Sequence, residues 1–375
     1  MHIANPAIPL GSLVVVIGAN GYMGLETCEK LLQAGYRVRG TVRNVEQHRG
    51  WMYNLFDRTW SGKFDLVQVP DFEAERAFED AFRGAAGVIY PSMPVIFDAD
   101  PTKVFGPMVR GVINTLESAA RAGVQRYVLS SSSKAVADTI YGEPRELTEE
   151  MFNHEAVERA RQKSTDSSFQ RIVDVYSAGR TLAEFAFWDW IKTNNPPFVA
   201  NCVVPDGQFG RVLDMDNLNT GVTSSTGQLT RALQGKWEGV PLPLGKQSFS
   251  HVHSWDLVKL LTHVDQAFFT DVQDSARLMV AAVASKSIRN ERIFAYHVNR
   301  TWNDLRSKVR ELFPDRPELV KGSDQDVSGR DMSYAPGPIA RAEEILRDIG
   351  QPGFTNEDDV IRDFVASVFP QDMQK

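Results

Sequence analysis

Val14-Val15-Val16-Ile17-Gly18-Ala19-Asn20-Gly21-Tyr22-Met23-Gly24 reads as a buried strand running straight into a glycine-punctuated helix start. Gly18, Gly21 and Gly24 stand at i, i+3 and i+6, which lets the backbone turn tightly and approach a pyrophosphate. The third glycine lets the next helix, Leu25 to Ala34, pack on the sheet with its free N–H groups and positive dipole end toward phosphate. Three glycines alone are a weak sign, because turns collect glycine for many reasons. Here an apolar strand precedes them, a helix follows, and a second strand, Tyr36 to Val42, completes a βαβ frame. The stretch therefore reads as a nucleotide site, with Gly18, Asn20, Gly21, Tyr22, Met23 and Gly24 as its loop.

Outward from this frame, strand-like runs recur at Arg37–Val42, Phe64–Val69, Gly87–Tyr90, Arg126–Ser130 and Phe198–Val204. Amphipathic segments lie between them at Phe72–Phe82, Val104–Ala122 and Val175–Lys192. Such alternation predicts an α/β fold, a Rossmann-type doubly wound parallel sheet with its ligand beyond the carboxyl ends of the strands. Residues 206–248 are rich in Gly, Thr, Ser and Pro, with Leu229–Leu233 as the clearest helical fragment. A strand-then-helix unit, Phe249–Val252 into Trp255–His263, is expected to return to the main sheet. Beyond it a strand is expected at Ile293–Val298 and helices at Trp302–Leu312, Ile339–Ile349 and Glu357–Val368. The expected division is a nucleotide-binding domain over 11–205 and 249–265. A smaller, discontinuous substrate lobe takes 206–248 and 266–375.

The chain has 375 residues, 42% hydrophobic and 24% charged, with a net charge of −7. The acidic balance argues against a nucleic-acid partner or an anionic membrane surface. No apolar run approaches spanning length, and the first residues lack a signal-peptide layout. The two cysteines, Cys28 and Cys202, offer neither a disulfide framework nor metal-ligand spacing. His251 and His253 alternate along a short strand, face opposite sides, and make a poor metal pair. A cytoplasmic protein without a metal is expected.

At the end of the second strand, Arg43 stands where an acidic residue would bind a ribose diol. An arginine there favours a 2′-phosphate through its charge and planar donor fork, so NADP(H) is expected over NAD. Asp71 and Phe72 follow the third strand, where the carboxylate suits an adenine amino group or, equally, a helix cap. The fifth strand runs out into Ser130-Ser131-Ser132-Ser133. Further on, Tyr176-Ser177-Ala178-Gly179-Arg180 places a phenol and a cation one helical turn apart on one face. A hydroxyl donor, a phenol and a fixed cation together suit carbonyl reduction. The phenol protonates the oxygen, the cation favours phenolate, and a serine hydroxyl steadies the developing charge.

These stretches, with Gly35–Arg43, Arg126–Ser132, Gly329-Arg330-Asp331-Met332-Ser333 and Leu346–Gly353, resemble the extended short-chain dehydrogenase/reductases. The likeness is to fungal aldehyde and ketone reductases and to dihydroflavonol reductase-like enzymes. It implies NADPH-dependent reduction of a ketone or aldehyde, a secondary-metabolite carbonyl, by a monomer or homodimer. It assigns Ser132 as catalytic serine, Tyr176 as proton donor, and Pro205 and Ser92 beside the cofactor. Met93, Phe97, Ser133, Lys134 and Gln208 are placed against substrate, although a surface role is the stronger reading of Lys134. Two departures stand out. Arg180 occupies the family's lysine position, which implies that it anchors the nicotinamide ribose of the cofactor as well as the phenol, with Gly179 read as making room for it. Tyr90-Pro91-Ser92-Met93 replaces the stretch that usually lies beside the ribose. The first departure leaves open a net-neutral chemistry such as epimerisation, dehydration or cyclisation. A non-catalytic dinucleotide sensor is a third reading, set against the retained Ser132 and Tyr176.

Overall fold

Five consecutive apolar residues, Leu13–Ile17, form β1, and all five are buried. Burial on both faces is what a central strand of a parallel sheet requires. The computed structural model describes residues 1–140, 142–218, 225–236, 268–324 and 331–370, the side chain of Phe169 excepted. After β1 come α1 (Tyr22–Gln33), β2 (Arg37–Val42), α2 (Val45–Trp60), β3 (Phe64–Gln68), α3 (Glu79–Phe82) and β4 (Gly87–Tyr90). Then follow α4 (Pro101–Ala122), β5 (Arg126–Ser130), β6 (Pro144–Glu146), α5 (His154–Arg161), α6 (Phe169–Asn194) and β7 (Val199–Pro205). The rest comprises β8 (Gly207–Phe209), α7 (Ser225–Leu233), β9 (Phe268–Asp271), α8 (Val272–Ala284), β10 (Arg292–Ala295) and β11 (Val298–Asn299). It ends with α9 (Trp302–Leu312), β12 (Met332–Tyr334), α10 (Pro336–Asp348) and α11 (Glu357–Val368).

Seven parallel strands run in the order β10-β7-β5-β4-β1-β2-β3. The order reverses at β1, whose neighbours are β4 and β2, and the crevice at that reversal is where such sheets bind ligands. The alternating pleat of β1 divides the interior. Val14 and Val16 join one core with Leu25, Cys28, Met279 and Val283, while Leu13, Val15 and Ile17 join the other with Val104, Met108 and Phe187. A third cluster, built on Phe209, Leu229, Phe269, Trp302 and Phe364, makes the interior of the smaller lobe. Its sheet is β11-β9-β8, and β12 pairs separately with β6.

The structure departs from the sequence reading in four places. Phe72–Phe82 is not one helix: only Glu79–Phe82 is helical, because Arg76 sits at φ 62, a left-handed conformation that ends a right-handed run. Val272–Ala284, assigned to the smaller lobe, lies under the main sheet against β4, β5 and β7. This helix carries no polar stripe beyond its first turn and Arg277, so it is stable only where apolar neighbours surround it. Ile293–Val298 divides into β10, on the edge of the main sheet, and β11, in the small one. Gly179 faces α4, where an added Cβ would meet Val104 Cγ1 at 2.8 Å and Met108 Sδ at 2.9 Å. Its smallness therefore sets a helix–helix approach rather than space for Arg180. The expected unit at 249–263, with His251 and His253, lies outside the described residues, as do Gly329 and Arg330.

Candidate active site

The glycine loop leaves β1 with Gly18 at φ 68, a left-handed turn that glycine adopts without strain. Gly18 N and Ala19 N donate to Oγ1 and the carbonyl of Thr41, which ties the loop to the end of β2. A Cβ on Gly24 would lie 2.3 Å from the Gly18 carbonyl oxygen, so only glycine allows α1 to start this close to the turn. The helix begins at Gly21, a cap residue that makes no side-chain bond to the first-turn amides, and no acidic residue occupies that turn. Uncapped amides at a positive dipole end, with no local carboxylate, fit a pyrophosphate. Tyr22 and Met23 turn away from this cradle. Tyr22 Oη donates to the Gly210 carbonyl at 3.2 Å, and Met23 packs against the core.

Arg43 is exposed just beyond β2. Its neighbour Asn44 caps α2 by accepting from the amides of Glu46 and Gln47, which brings His48, one turn further, back over the loop. Nε2 of His48 lies 3.2 Å from the Asn20 amide nitrogen, and Trp51 Nε1 donates to its Nδ1 at 3.3 Å. Burial, then the charge of Arg43, lowers the pKa of the imidazole. The sequence reading passed over His48. The cap residue Asn44, followed by a helical run, is the signal that could have placed it. Asn20, Arg43 and His48 thus gather at one end of the cradle, suited to a 2′-phosphate.

Asp71 accepts from the Glu73 amide at 2.9 Å, closing a local turn rather than capping a helix, since the only helix in this stretch begins at Glu79. Phe72 turns toward α4, where a Cβ on Gly111 would meet its ring at 2.9 Å. Ser92 is exposed, its hydroxyl 3.5 Å from the Met93 carbonyl. Pro205 closes β7, buried in the main sheet beside Ala295.

The candidate reacting groups follow β4 and β5 and lie on α6. Ser132 caps a 3₁₀ turn, Ser133–Ala135, its Oγ accepting from the Lys134 amide, and this turn packs against α6. On α6, Tyr176 is half-buried and its ring lies 4.8 Å from that of Phe97. Arg180 donates from Nε to Tyr176 Oη at 3.0 Å and from Nη2 to the Met93 carbonyl at 3.4 Å. Arg180 is 4% exposed, and among the described residues no carboxylate forms an ion pair with it. A buried cation without a counter-ion favours any negative charge that develops beside it. Tyr127, the tyrosine on β5, is fully buried with its hydroxyl 2.6 Å from Thr115, and burial pushes its pKa up. Tyr127 therefore belongs to the core, whereas Tyr176 stays half-buried on α6 beside Arg180.

Of the residues placed against substrate, Met93 and Phe97 meet Arg180 and Tyr176. Ser133 donates to half-buried Asp206 at 2.7 Å, and Lys134 reaches Thr139 at 3.3 Å. Gln208 is buried on β8, with an amide oxygen that has no hydrogen-bond partner among the described residues. No group of three or more His, Cys, Asp or Glu is placed to hold a metal among the described residues. None of the described helices is long and apolar enough to cross a membrane.

An α/β sheet with a glycine cradle at its reversal point and a phenol–cation pair at its carboxyl edge defines a dinucleotide-binding oxidoreductase class. A family model described as NAD(P)H-binding matches residues 18–168. Ketoreductase adrE of Penicillium roqueforti is 31% identical over 357 residues, covering 94% of this chain and 95% of that protein. Aldehyde reductase 2 of Sporidiobolus salmonicolor is 28% identical over 372 residues, covering 97% and 98%. Among solved structures, Gre2 of Candida albicans in complex with NADPH superposes with a TM-score of 0.73 at 20% identity, covering 96% and 98%. The chain belongs to the extended short-chain dehydrogenase/reductase family and is related to the fungal ketoreductases and aldehyde reductases.

Proposed function

We propose that this protein reduces a ketone or aldehyde to an alcohol with NADPH, using Tyr176 as proton donor. The observation that carries this reading is the 3.0 Å bond from buried Arg180 to the Tyr176 oxygen, beside the turn that holds Ser132. The cofactor, when bound, supplies the hydride. Ser132 is positioned at the carboxyl edge to hydrogen-bond the substrate oxygen, and Tyr176 gives that oxygen its proton. Arg180 compensates the phenolate left behind, charge appearing where a fixed cation already stands. Gly18, Gly21 and Gly24 would cradle the pyrophosphate, and Arg43, with Asn20 beside it, would take the 2′-phosphate. Asp71 is assigned to adenine, Ser92 and Pro205 to the nicotinamide end.

The smaller lobe, with Gln208, is assigned to substrate along with Met93, Phe97, Ser133 and Lys134. The substrate is taken to be a secondary-metabolite carbonyl, and the protein a cytoplasmic monomer or homodimer. The test is absorbance in the nicotinamide band during incubation with a panel of activated ketones and aldehydes. NADPH loss that vanishes in Tyr176→Phe supports the reading. Product formed without NADPH loss would replace it with net-neutral chemistry, and tight NADPH binding without any turnover with a sensor.

A further inference from the structure

Two turns beyond Tyr176 on α6, Glu184 is wholly buried, and four donor contacts from three other residues reach its carboxylate. Ser131 Oγ donates to Oε2 at 2.6 Å, and Trp188 Nε1 donates to Oε1 at 3.2 Å. Arg292, from β10, forks across both oxygens, Nε to Oε1 at 2.6 Å and Nη2 to Oε2 at 3.1 Å. The remaining nitrogen of Arg292 donates to the carbonyls of Glu149 and Met151, and its guanidinium lies 4.1 Å from the Phe152 ring centre. Three separated pieces of chain, the exit of β5, the catalytic helix and the sheet edge, thus converge on one carboxylate.

Stability does not explain this arrangement. Two charges taken out of water lose hydration that their attraction barely offsets, and apolar residues of similar volume would hold the fold as well. What the carboxylate does achieve is location. Ser131 directly precedes Ser132, and its amide is held in turn by the Val203 carbonyl at 2.8 Å. Its hydroxyl reaches the same helix that carries Tyr176 and Arg180. Rotation or sliding of α6 against the serine turn would break the 2.6 Å bond.

We propose that Glu184, clamped by Arg292, is a positioning residue that holds Ser132 in register with Tyr176 through its bond to Ser131. This inference rests on Ser132 and Tyr176 being the groups that meet the carbonyl. Ser131→Ala removes the tether and leaves the Glu184–Arg292 pair whole. The expected result is a fall in kcat of roughly ten- to a hundredfold, the scale of small misplacements of reacting groups, with KM for NADPH and carbonyl within about twofold. The melting temperature is expected to stay within a few degrees, and Ser131→Thr, which restores a hydroxyl, to recover most of kcat. An unchanged kcat in Ser131→Ala overturns the proposal. So does a loss of kcat that comes with lost NADPH binding and a lowered melting temperature, or one that Ser131→Thr does not repair. Tyr176→Phe, assayed alongside, separates the failures: activity retained there removes the catalytic reading itself. A dead Tyr176→Phe beside a fully active Ser131→Ala removes only the tether.

Discussion

Arg180 spans two elements with one side chain: Nε donates to the Tyr176 hydroxyl oxygen, and Nη2 reaches the Met93 carbonyl beyond β4. The two departures from the family pattern, arginine for lysine and the Tyr90–Met93 stretch, are therefore in contact. A lysine is a point charge on a flexible stem and makes no such bridge; a planar fork does. The arginine gains a fixed bond to the phenol.

The first prediction concerns that bridge. Arg180→Met, which keeps an unbranched stem but removes the charge, is expected to lower kcat/KM by about a hundredfold or more, the scale of proton-transfer catalysis. Arg180→Lys is expected to retain a measurable part of the rate but to differ from the parent in its pH–rate curve. A curve identical in height and midpoint would mean that the bridge does no chemical work.

Arg43 is the residue proposed to govern cofactor choice. A charged hydrogen bond is worth about 1.5–3 kcal/mol, so Arg43→Ala is expected to weaken NADPH binding by about ten- to a hundredfold. NADH binding should change little. Titration of both nucleotides by fluorescence checks this, and equal weakening would leave the 2′-phosphate without its assigned partner.

Gly24→Ala brings a Cβ to 2.3 Å from the Gly18 carbonyl oxygen. Neither backbone can yield cheaply, so the helix must shift and the cradle must open, at a cost of about 1–3 kcal/mol for such overpacking. The expected result is a lowered melting temperature together with loss of NADPH binding. An alanine variant that binds NADPH normally would show that α1 does not need to start where it does.

Asp271 supplies a pH dependence with a definite sign. Burial, reinforced by the nearby charge of Asp274, pushes its pKa up to about 7, and its Oδ2 has no hydrogen-bond partner among the described residues. The unfolded chain releases this proton near an ordinary aspartate value of about 3.9. The folded state therefore holds the extra proton between the two values, and Asp271 contributes stability at low pH that is lost as pH rises toward 7. Asp271→Asn keeps the capping acceptor for the Gln273 amide and removes the titration. Urea unfolding at about pH 5 and about pH 8 should show a smaller loss of stability with pH in the variant than in the parent.

Much of the fold was legible because its signals are local. β4 and β5 stand at the residues read from the sequence, and α9 and α11 likewise, since apolar period and capping are written within each segment. β8 and β6 were not legible: each is three residues long, and each exists through pairing with a strand far along the chain. His48 was missed for a related reason, because its proximity to Asn20 depends on how α2 leaves its cap. Gly179 was assigned to the wrong neighbour, since sequence cannot say which helix a small residue faces.

By itself the sequence determined a parallel sheet, a phosphate cradle and one face of a helix carrying Tyr176 and Arg180. Strand and helix periods and glycine spacing are properties of a short stretch, independent of what packs on it. Only the tertiary structure decided that Arg180 is buried with no carboxylate paired to it among the described residues, that it holds the Met93 carbonyl, and that Glu184 ties α6 to Ser131. These facts depend on distances between segments up to a hundred residues apart. The folded sheet fixes those distances, because closing such loops costs entropy that only the assembled core repays.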